Sequence, residues 1–173
     1  MTNIPYILDI LNQPNSLKIA LEQFDPASLA LLAKTVRNND FDRILITGMG
    51  SSLYASYSVW LTLAQAGLPA LWVDTAELIH HTPGLVTSKT LLWIFSQSGK
   101  SAEIISALDF KPAALLVTVN DPESPLAKAA QYQVPIRAGA EYTVSTRTYV
   151  NSLAVGQLAP HGETFGRRER VCS

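Results

Sequence analysis

The sequence predicts an α/β fold with three layers, in which a five-stranded parallel sheet in the flavodoxin-like order 2-1-3-4-5 lies between two layers of helices. Short, almost entirely apolar segments alternate along the chain with segments whose apolar residues recur at helical spacing. The apolar segments contain few polar residues, which is typical of strands buried on both faces. Right-handed crossovers between parallel strands then place helices on both sides of the sheet.

The first elements in the chain are expected to be helices. Residues 6–24 are a predicted helical lead-in that is interrupted at Pro14. Residues 28–37 predict a second helix, with Asp25 as its cap and Pro26 at the first helical position. A helical region therefore precedes the alternating part of the chain.

Strands and helices alternate regularly after residue 40. The predicted strands cover residues 43–47, 70–73, 90–95, 113–119 and 133–136. The predicted helices cover residues 51–66, 75–80, 101–108, 125–130 and 146–158. We therefore divide the chain into a helical lead-in at 1–40, an α/β domain at 41–158 and an irregular tail at 159–173. Apolar periodicity stops in the tail and basic residues accumulate, which indicates disorder or a frameshifted end.

The composition limits the classes of protein and partner. The chain has 173 residues, of which 47% are hydrophobic and 16% charged, as is typical of one globular domain. The formal net charge of −1 gives no reason to expect nucleic acid or an anionic membrane as a partner. Cys172 is the single cysteine, so no internal disulfide is expected, and no cofactor or metal. The apolar runs are too short to cross a bilayer and no signal-peptide pattern is visible, so we expect a cytoplasmic location.

A polar loop follows the third predicted strand. Residues 96–101 read SQSGKS and lie between the apolar segment 90–95 and a predicted helix. Unpaired backbone N–H groups at a helix start favour an anion, and serine hydroxyls add neutral donors. The loop therefore predicts a phosphate site. The alternative is a solvated strand-to-helix turn with a serine cap.

A second loop follows the first predicted strand. Residues 48–52 read GMGSS, in which Ser51 or Ser52 can cap the next helix. The loop is not a dinucleotide fingerprint, because Leu53 takes the third glycine position, and Ile94 likewise excludes a P-loop at the other loop. In the order 2-1-3-4-5 the strand order reverses between the first and third strands, where ligands bind. The two loops are therefore expected to meet in one crevice.

Four short segments match the pattern of one family. They are LNQP at 11–14, GMGSS at 48–52, SQSGKS at 96–101, and AGAE with VSTR at 138–141 and 144–147. Together they resemble the SIS (sugar isomerase) domain family, and especially the first SIS half of glucosamine-6-phosphate synthase-like and fructosamine deglycase-like phosphosugar isomerases. The resemblance covers about residues 6–158 and implies binding of a phosphorylated sugar or amino sugar.

The resemblance also assigns the site residues. It implies that the phosphate is held by Ser51, Ser52, Ser96, Gln97, Ser98 and Ser101. Val144 and Ser145 would line the sugar side. Lys100 stands where the family has glutamate, and we expect its side chain to point to solvent.

Candidates for isomerase chemistry are few. Aldose–ketose isomerisation needs a base that moves a proton between C1 and C2. Glu77 and Glu141 are the candidates. Each also has a structural alternative: Glu77 could stabilise a helix dipole, and Glu141 could hold a loop in position. His80 and His81 follow each other on a predicted helix and point in different directions, so a shared metal is not expected.

The resemblance leaves several functions open. Relatives with two SIS halves carry a catalytic glutamate and histidine in the second half, and this chain ends near the end of the first. It is therefore expected to bind a phosphosugar without a complete catalytic set of its own. The alternatives are a full isomerase or aminotransferase-type enzyme completed across a homodimer, a non-catalytic phosphosugar sensor, and a truncated remnant. A second copy of the chain and a separate second SIS half are the expected protein partners.

Overall fold

The five strands form one parallel sheet in the order β2-β1-β3-β4-β5 in the computed structural model, which describes residues 4–141 and 144–160. The strands are β1 (Arg43–Gly48), β2 (Ala70–Asp74), β3 (Thr90–Ser96), β4 (Ala114–Val119) and β5 (Tyr132–Pro135). The predicted fold class and strand order are confirmed. Strands β3 and β4 are buried along their whole length, as their largely apolar sequences require.

Helices precede the sheet and connect its strands. They are α1 (Pro5–Leu11), α2 (Gln13–Glu22), α3 (Ala30–Arg37), α4 (Ser51–Gln65), α5 (Thr75–His80), α6 (Ala102–Ser106), α7 (Pro125–Ala129) and α8 (Arg147–Leu158). Pro14 lies in the first turn of α2, because a missing N–H costs nothing there, so the lead-in consists of two helices. Asp25 accepts a hydrogen bond from the N–H of Ala27 (2.9 Å), as predicted, but the turn it caps is 3-10 (Pro26–Leu29).

The hydrophobic core has two parts, one on each face of the sheet. On one face, α3, α4 and α8 supply Leu32, Val59 and Val155. On the other face, α5, α6 and α7 supply Leu78, Ile104 and Leu126. Each of these side chains is buried, so both faces of the sheet are covered and the three-layer architecture follows.

Strand register places the two predicted loops side by side. Gly48, the last residue of β1, lies opposite Phe95 of β3, and Ser96 follows at the end of β3. The strand order reverses at this pair, with β2 on one side and β4 on the other. The loops that leave β1 and β3 therefore start together at the carboxyl edge, where open parallel sheets bind their ligands.

The predicted tail at 159–173 lies outside the described residues from residue 161 onward. Within residues 4–141 and 144–160, no helix has both the length and the apolar character needed to cross a bilayer. In the same ranges no group of His, Cys, Asp and Glu side chains has the arrangement of a metal site.

Candidate functional site

The loop after β3 is held by hydrogen bonds from its own backbone to two of its serine side chains. The Ser96 hydroxyl oxygen accepts from the N–H of Gly99 (3.0 Å), and the Ser98 hydroxyl oxygen accepts from the N–H of Lys100 (3.2 Å). Because each oxygen acts here as an acceptor, each hydroxyl hydrogen can still be donated to a ligand. The turn therefore presents hydroxyl donors at the end of a buried strand.

Gly99 lets this loop lie against the next one. Its φ of +62° is in the left-handed region, and a Cβ at this position would lie 2.7 Å from the Cβ of Ser124. The N–H of Asn120 donates to the Gln97 carbonyl (3.2 Å), and the N–H of Leu126 donates to the Gly99 carbonyl (3.4 Å). The loop between β4 and α7 thus supports the loop after β3.

Lys100 is exposed, as expected, but it also has a partner. Its ammonium lies 2.6 Å from the carboxylate of Asp121, which follows β4. The hydrogen bond from Lys100, together with one from the N–H of Glu123, holds the pKa of the Asp121 carboxyl below its ordinary value. The prediction that Lys100 points to solvent is therefore incomplete, since its ion pair with Asp121 also joins the two loops.

The loop after β1 leads directly into α4, the longest helix among the described residues. Gly50 occupies the N-cap position, and no side chain there accepts a capping hydrogen bond. The prediction that Ser51 or Ser52 caps this helix is wrong, because both already belong to its first turn. The positive end of the dipole of this 15-residue helix therefore lies at the carboxyl edge of the sheet, where the loop after β3 also starts.

Helix α6 contributes less than the sequence predicts. It has five residues, Ala102–Ser106, and continues as a 3-10 turn at Ala107–Asp109. Ser101 is at its N-cap position, but its side chain makes no capping hydrogen bond with the part of the chain that the structure describes. An anion at this edge would therefore depend on α4 and on hydroxyl groups more than on α6.

Six of the predicted site residues lie in or directly beside the two adjacent loops. These are Ser51, Ser52, Ser96, Gln97, Ser98 and Ser101. Ser96 is buried and Ser51 exposed, and the other four are half-buried. On the predicted sugar side, Val144 is exposed and Ser145 half-buried, just before α8.

Glu141 holds the start of α8. Its carboxylate accepts hydrogen bonds from the N–H groups of Thr146, Arg147 and Thr148 and from the hydroxyls of Thr146 and Thr148. Burial alone would raise the pKa of the Glu141 carboxyl, but these hydrogen bonds outweigh burial and lower it below the ordinary glutamate value. Both oxygens are thus committed to helix capping.

Glu77 occupies a more open position. It lies in the first turn of α5, which starts at the end of β2, and its side chain is 65% exposed. One carboxylate oxygen is 4.0 Å from Nε2 of His81, one turn further along the helix. Asp74 caps this helix by accepting from the N–H of Ala76 (2.8 Å). Glu77 is therefore not needed as the cap of α5.

Asn120 is a residue near the site that the sequence analysis missed. It comes directly after β4, the strand next to the one that ends in Ser96. Its side chain contacts the backbone of Ala138 and Gly139. A polar residue directly after a buried strand next to a predicted site strand was the signal that could have identified it.

Comparison with known proteins agrees with this architecture. A family model described as SIS domain matches residues 31–161. The chain therefore belongs to the SIS domain family, and the resemblance found in the sequence is confirmed.

Two relatives and one solved structure illustrate the similarity. Arabinose 5-phosphate isomerase KdsD of Pseudomonas aeruginosa is 34% identical over 135 residues, which are 70% of this chain and 41% of the relative. The glutamine–fructose-6-phosphate aminotransferase (isomerizing) of Methanocaldococcus jannaschii is 30% identical over 165 residues, which are 92% of this chain and 15% of the relative. The structure of E. coli CFT073 c3406 in complex with A5P is 20% identical, with a TM-score of 0.68, and the match covers 95% of this chain and 97% of that one.

Length separates the chain from its relatives. It spans less than half the length of the curated relatives described above. The c3406 structure, in contrast, matches this chain over almost the whole of both. The SIS fold thus occurs both as part of long chains and in a chain of this extent.

Proposed function

We propose that this chain binds a phosphorylated sugar between the loops that follow β1 and β3. One observation carries the proposal: Gly48 lies opposite Phe95, so the segments GMGSS and SQSGKS follow adjacent strands at the reversal point of the sheet. Neither loop uses a serine side chain to cap the helix that follows, among the described residues. Their hydroxyls are therefore suited to an external anion. The alternative, a solvated turn in which serine caps the next helix, explains these serines less well.

The proposed roles follow the position of each residue. Ser52 and the start of α4 approach the phosphate from one side, and Ser96, Ser98 and Ser101 from the other. Ser51 and Gln97 add donors at the two loop edges. Val144 and Ser145 are proposed to contact the sugar, because they lie just before α8, which packs against α4 (Thr62 Oγ1 to Gln157 Oε1, 3.0 Å). A cluster of neutral donors at a helix start binds a dianion without arginine.

The named relatives favour a pentose phosphate as the first ligand to test. The Pseudomonas relative is an arabinose 5-phosphate isomerase, and the c3406 chain, of similar extent, is in complex with A5P. We therefore choose arabinose 5-phosphate as the probe.

Substitution of Ser98 by alanine tests the phosphate site. We expect Ser98→Ala to weaken binding of arabinose 5-phosphate about 10- to 150-fold, because a hydrogen bond to a charged group contributes about 1.5–3 kcal/mol. Isothermal titration calorimetry measures the affinity. Ser106→Ala, at an exposed position of α6, is the matched control and should bind as the unmodified chain does. Equal affinity of the Ser98 variant and the control would exclude Ser98 from the site.

Isomerase activity is the second candidate function, and the names of the relatives favour it. Glu77 is the better proposed base of the two carboxylates, because its side chain is exposed while Glu141 is occupied by the start of α8. The assay is interconversion of arabinose 5-phosphate with the corresponding ketose phosphate. Turnover that is lost in Glu77→Gln supports the enzyme. Saturable binding without turnover supports a sensor, and absence of binding supports a remnant.

A second copy of the chain is the proposed partner that would complete a catalytic site. Helix α1 supports self-association, since Ile7, Leu8 and Leu11 are exposed while the polar Asp9 is buried. A separate second SIS half is the other proposed partner. Analytical ultracentrifugation over a range of concentrations, with and without arabinose 5-phosphate, measures self-association directly.

A further inference from the structure

Asn120 contacts two parts of the proposed site at once. It comes directly after β4, and its backbone N–H donates to the Gln97 carbonyl in the loop after β3 (3.2 Å). Its side-chain amide contacts a different segment, the one that leaves β5. A single residue thus links the proposed phosphate loop to the segment that leads toward Val144 and Ser145.

The side-chain amide uses both of its ends. The oxygen accepts from the N–H of Ala138 (2.7 Å), and the NH₂ group donates to the carbonyl of Gly139 (2.8 Å). Both bonds have short, normal lengths for amide groups. They fix the two peptide units that flank the Ala138–Gly139 peptide relative to the end of β4.

The segment that Asn120 holds is not determined by sheet pairing. Its last ladder bond runs from the N–H of Ile136 to the Val119 carbonyl (3.0 Å). Arg137 (φ +55°) and Gly139 (φ +71°) then both adopt left-handed conformations on either side of Ala138. Such a conformation is unfavourable for arginine, so the turn needs contacts from outside to keep it in place.

The far end of the same segment is fixed separately. Glu141 accepts hydrogen bonds from the start of α8, and Arg147 donates to the Ala140 carbonyl and pairs with Asp9 (2.8 Å). These contacts set the segment against α8 and α1, but none of them reaches the loop after β3. A link to that loop is made by Asn120, whose backbone contacts Gln97 and whose side chain contacts Ala138 and Gly139.

We propose that Asn120 is a positioning residue that sets the distance between the phosphate loop and the sugar-contacting segment. This inference rests on the proposed function, because it concerns how the same site recognises the sugar part of its ligand. Asn120 does not itself hold the phosphate. Its loss should therefore reduce the contribution of the sugar to binding and leave the phosphate contribution in place.

The test compares two ligands on each variant. We expect Asn120→Ala to weaken arabinose 5-phosphate binding about tenfold, in line with two neutral hydrogen bonds, while the affinity for inorganic phosphate changes less than twofold. Asn120→Ser stays neutral but is too short to keep both side-chain hydrogen bonds, so it should show the same selective loss and serves if the alanine variant does not fold. Asn15→Ala, on an exposed turn of α2, is the control.

The outcomes separate the two proposals. A selective loss for the sugar phosphate in folded variants supports the role of Asn120. An equal loss for both ligands, or no loss for either, overturns that role while the site stands. Failure of the unmodified chain to bind arabinose 5-phosphate or phosphate overturns the proposed function, and the role of Asn120 with it.

Discussion

Serines at a helix start usually cap it, and the ones in this site do not. Ser51 lies one position too late, inside the first turn of α4, and Ser101 has the N-cap position of α6 without the capping bond. Ser124, in contrast, caps α7 in the usual way, because its side chain accepts from the N–H of Ala127 (3.2 Å). This contrast supports the proposal that the hydroxyls of Ser51 and Ser101 serve a ligand, since neither caps its helix among the described residues.

Glu141 is a polar residue that serves the fold, and its pKa makes this testable. We expect Glu141→Ala to lower the free energy of unfolding by about 1–2 kcal/mol at pH 7, because the variant loses the cap of α8. The folded-state pKa is lowered, so the contribution is complete above the unfolded-state pKa and is lost as the pH falls through the folded-state value.

Urea unfolding at several pH values measures this effect. The difference between the unmodified chain and Glu141→Ala should have its full size at pH 7 and shrink below about pH 4. Glu123→Ala is the control, since that side chain is 80% exposed. A difference that does not change with pH would contradict a role for the ionised carboxylate.

At the scale of elements, the sequence was sufficient for strands and less so for helix ends. Strands buried on both faces are uninterrupted apolar runs, so β3 and β4 were predicted to within one residue at each end. Helix α6 was predicted too long, because its apolar spacing continues through the 3-10 turn at Ala107–Asp109. Apolar spacing shows which face of a segment is buried but does not fix which hydrogen bonds its backbone makes.

The loop after β3 depends on a glycine at position 99. We expect Gly99→Ala to lower the melting temperature and to weaken sugar-phosphate binding at least tenfold, because a Cβ would overlap Ser124 and the residue has a φ of +62°. Thermal unfolding and calorimetric titration measure the two effects. Gly84→Ala is the matched control, since a Cβ there meets no atom within 4 Å. Unchanged binding in Gly99→Ala would show that the loop geometry does not matter for the ligand.

At the scale of the whole molecule, a buried ion pair joins the first helix, α1, to the last described helix, α8. Asp9 of α1 and Arg147 of α8 lie 2.8 Å apart, with side chains 4% and 10% exposed. The Arg147 Nε is buried and has no hydrogen-bond partner within the described ranges. The pair also reaches the site segment, because Arg147 donates to the Ala140 carbonyl.

Removal of either side chain of the Asp9–Arg147 pair should therefore lower the stability of the fold. We expect Asp9→Ala to lower the free energy of unfolding by about 3–5 kcal/mol, since it leaves the guanidinium buried without its counter-charge. Denaturant unfolding measures the change. Glu22→Ala, which breaks the exposed Lys18–Glu22 pair (3.8 Å), should change stability by less than about 0.5 kcal/mol. Similar small effects in both variants would mean that the lead-in is not docked by this pair.

These long-range contacts also mark the limit of what the sequence could predict. The SQSGKS and GMGSS segments were recognisable because each is local and follows an apolar strand. Asn120 and Ala138 are 18 residues apart, and Asp9 and Arg147 are 138 apart, so no local spacing relates them. Only the packed fold brings them together.

The central claim is that the loops after β1 and β3 form one phosphosugar site. Titration of the ¹⁵N-labelled chain with arabinose 5-phosphate, followed by NMR chemical-shift changes, tests it most directly. We expect the amide signals of residues 50–52 and 96–101 to shift together and to fit one dissociation constant. Shifts confined to other parts of the chain, or different dissociation constants for the two loops, would contradict the claim.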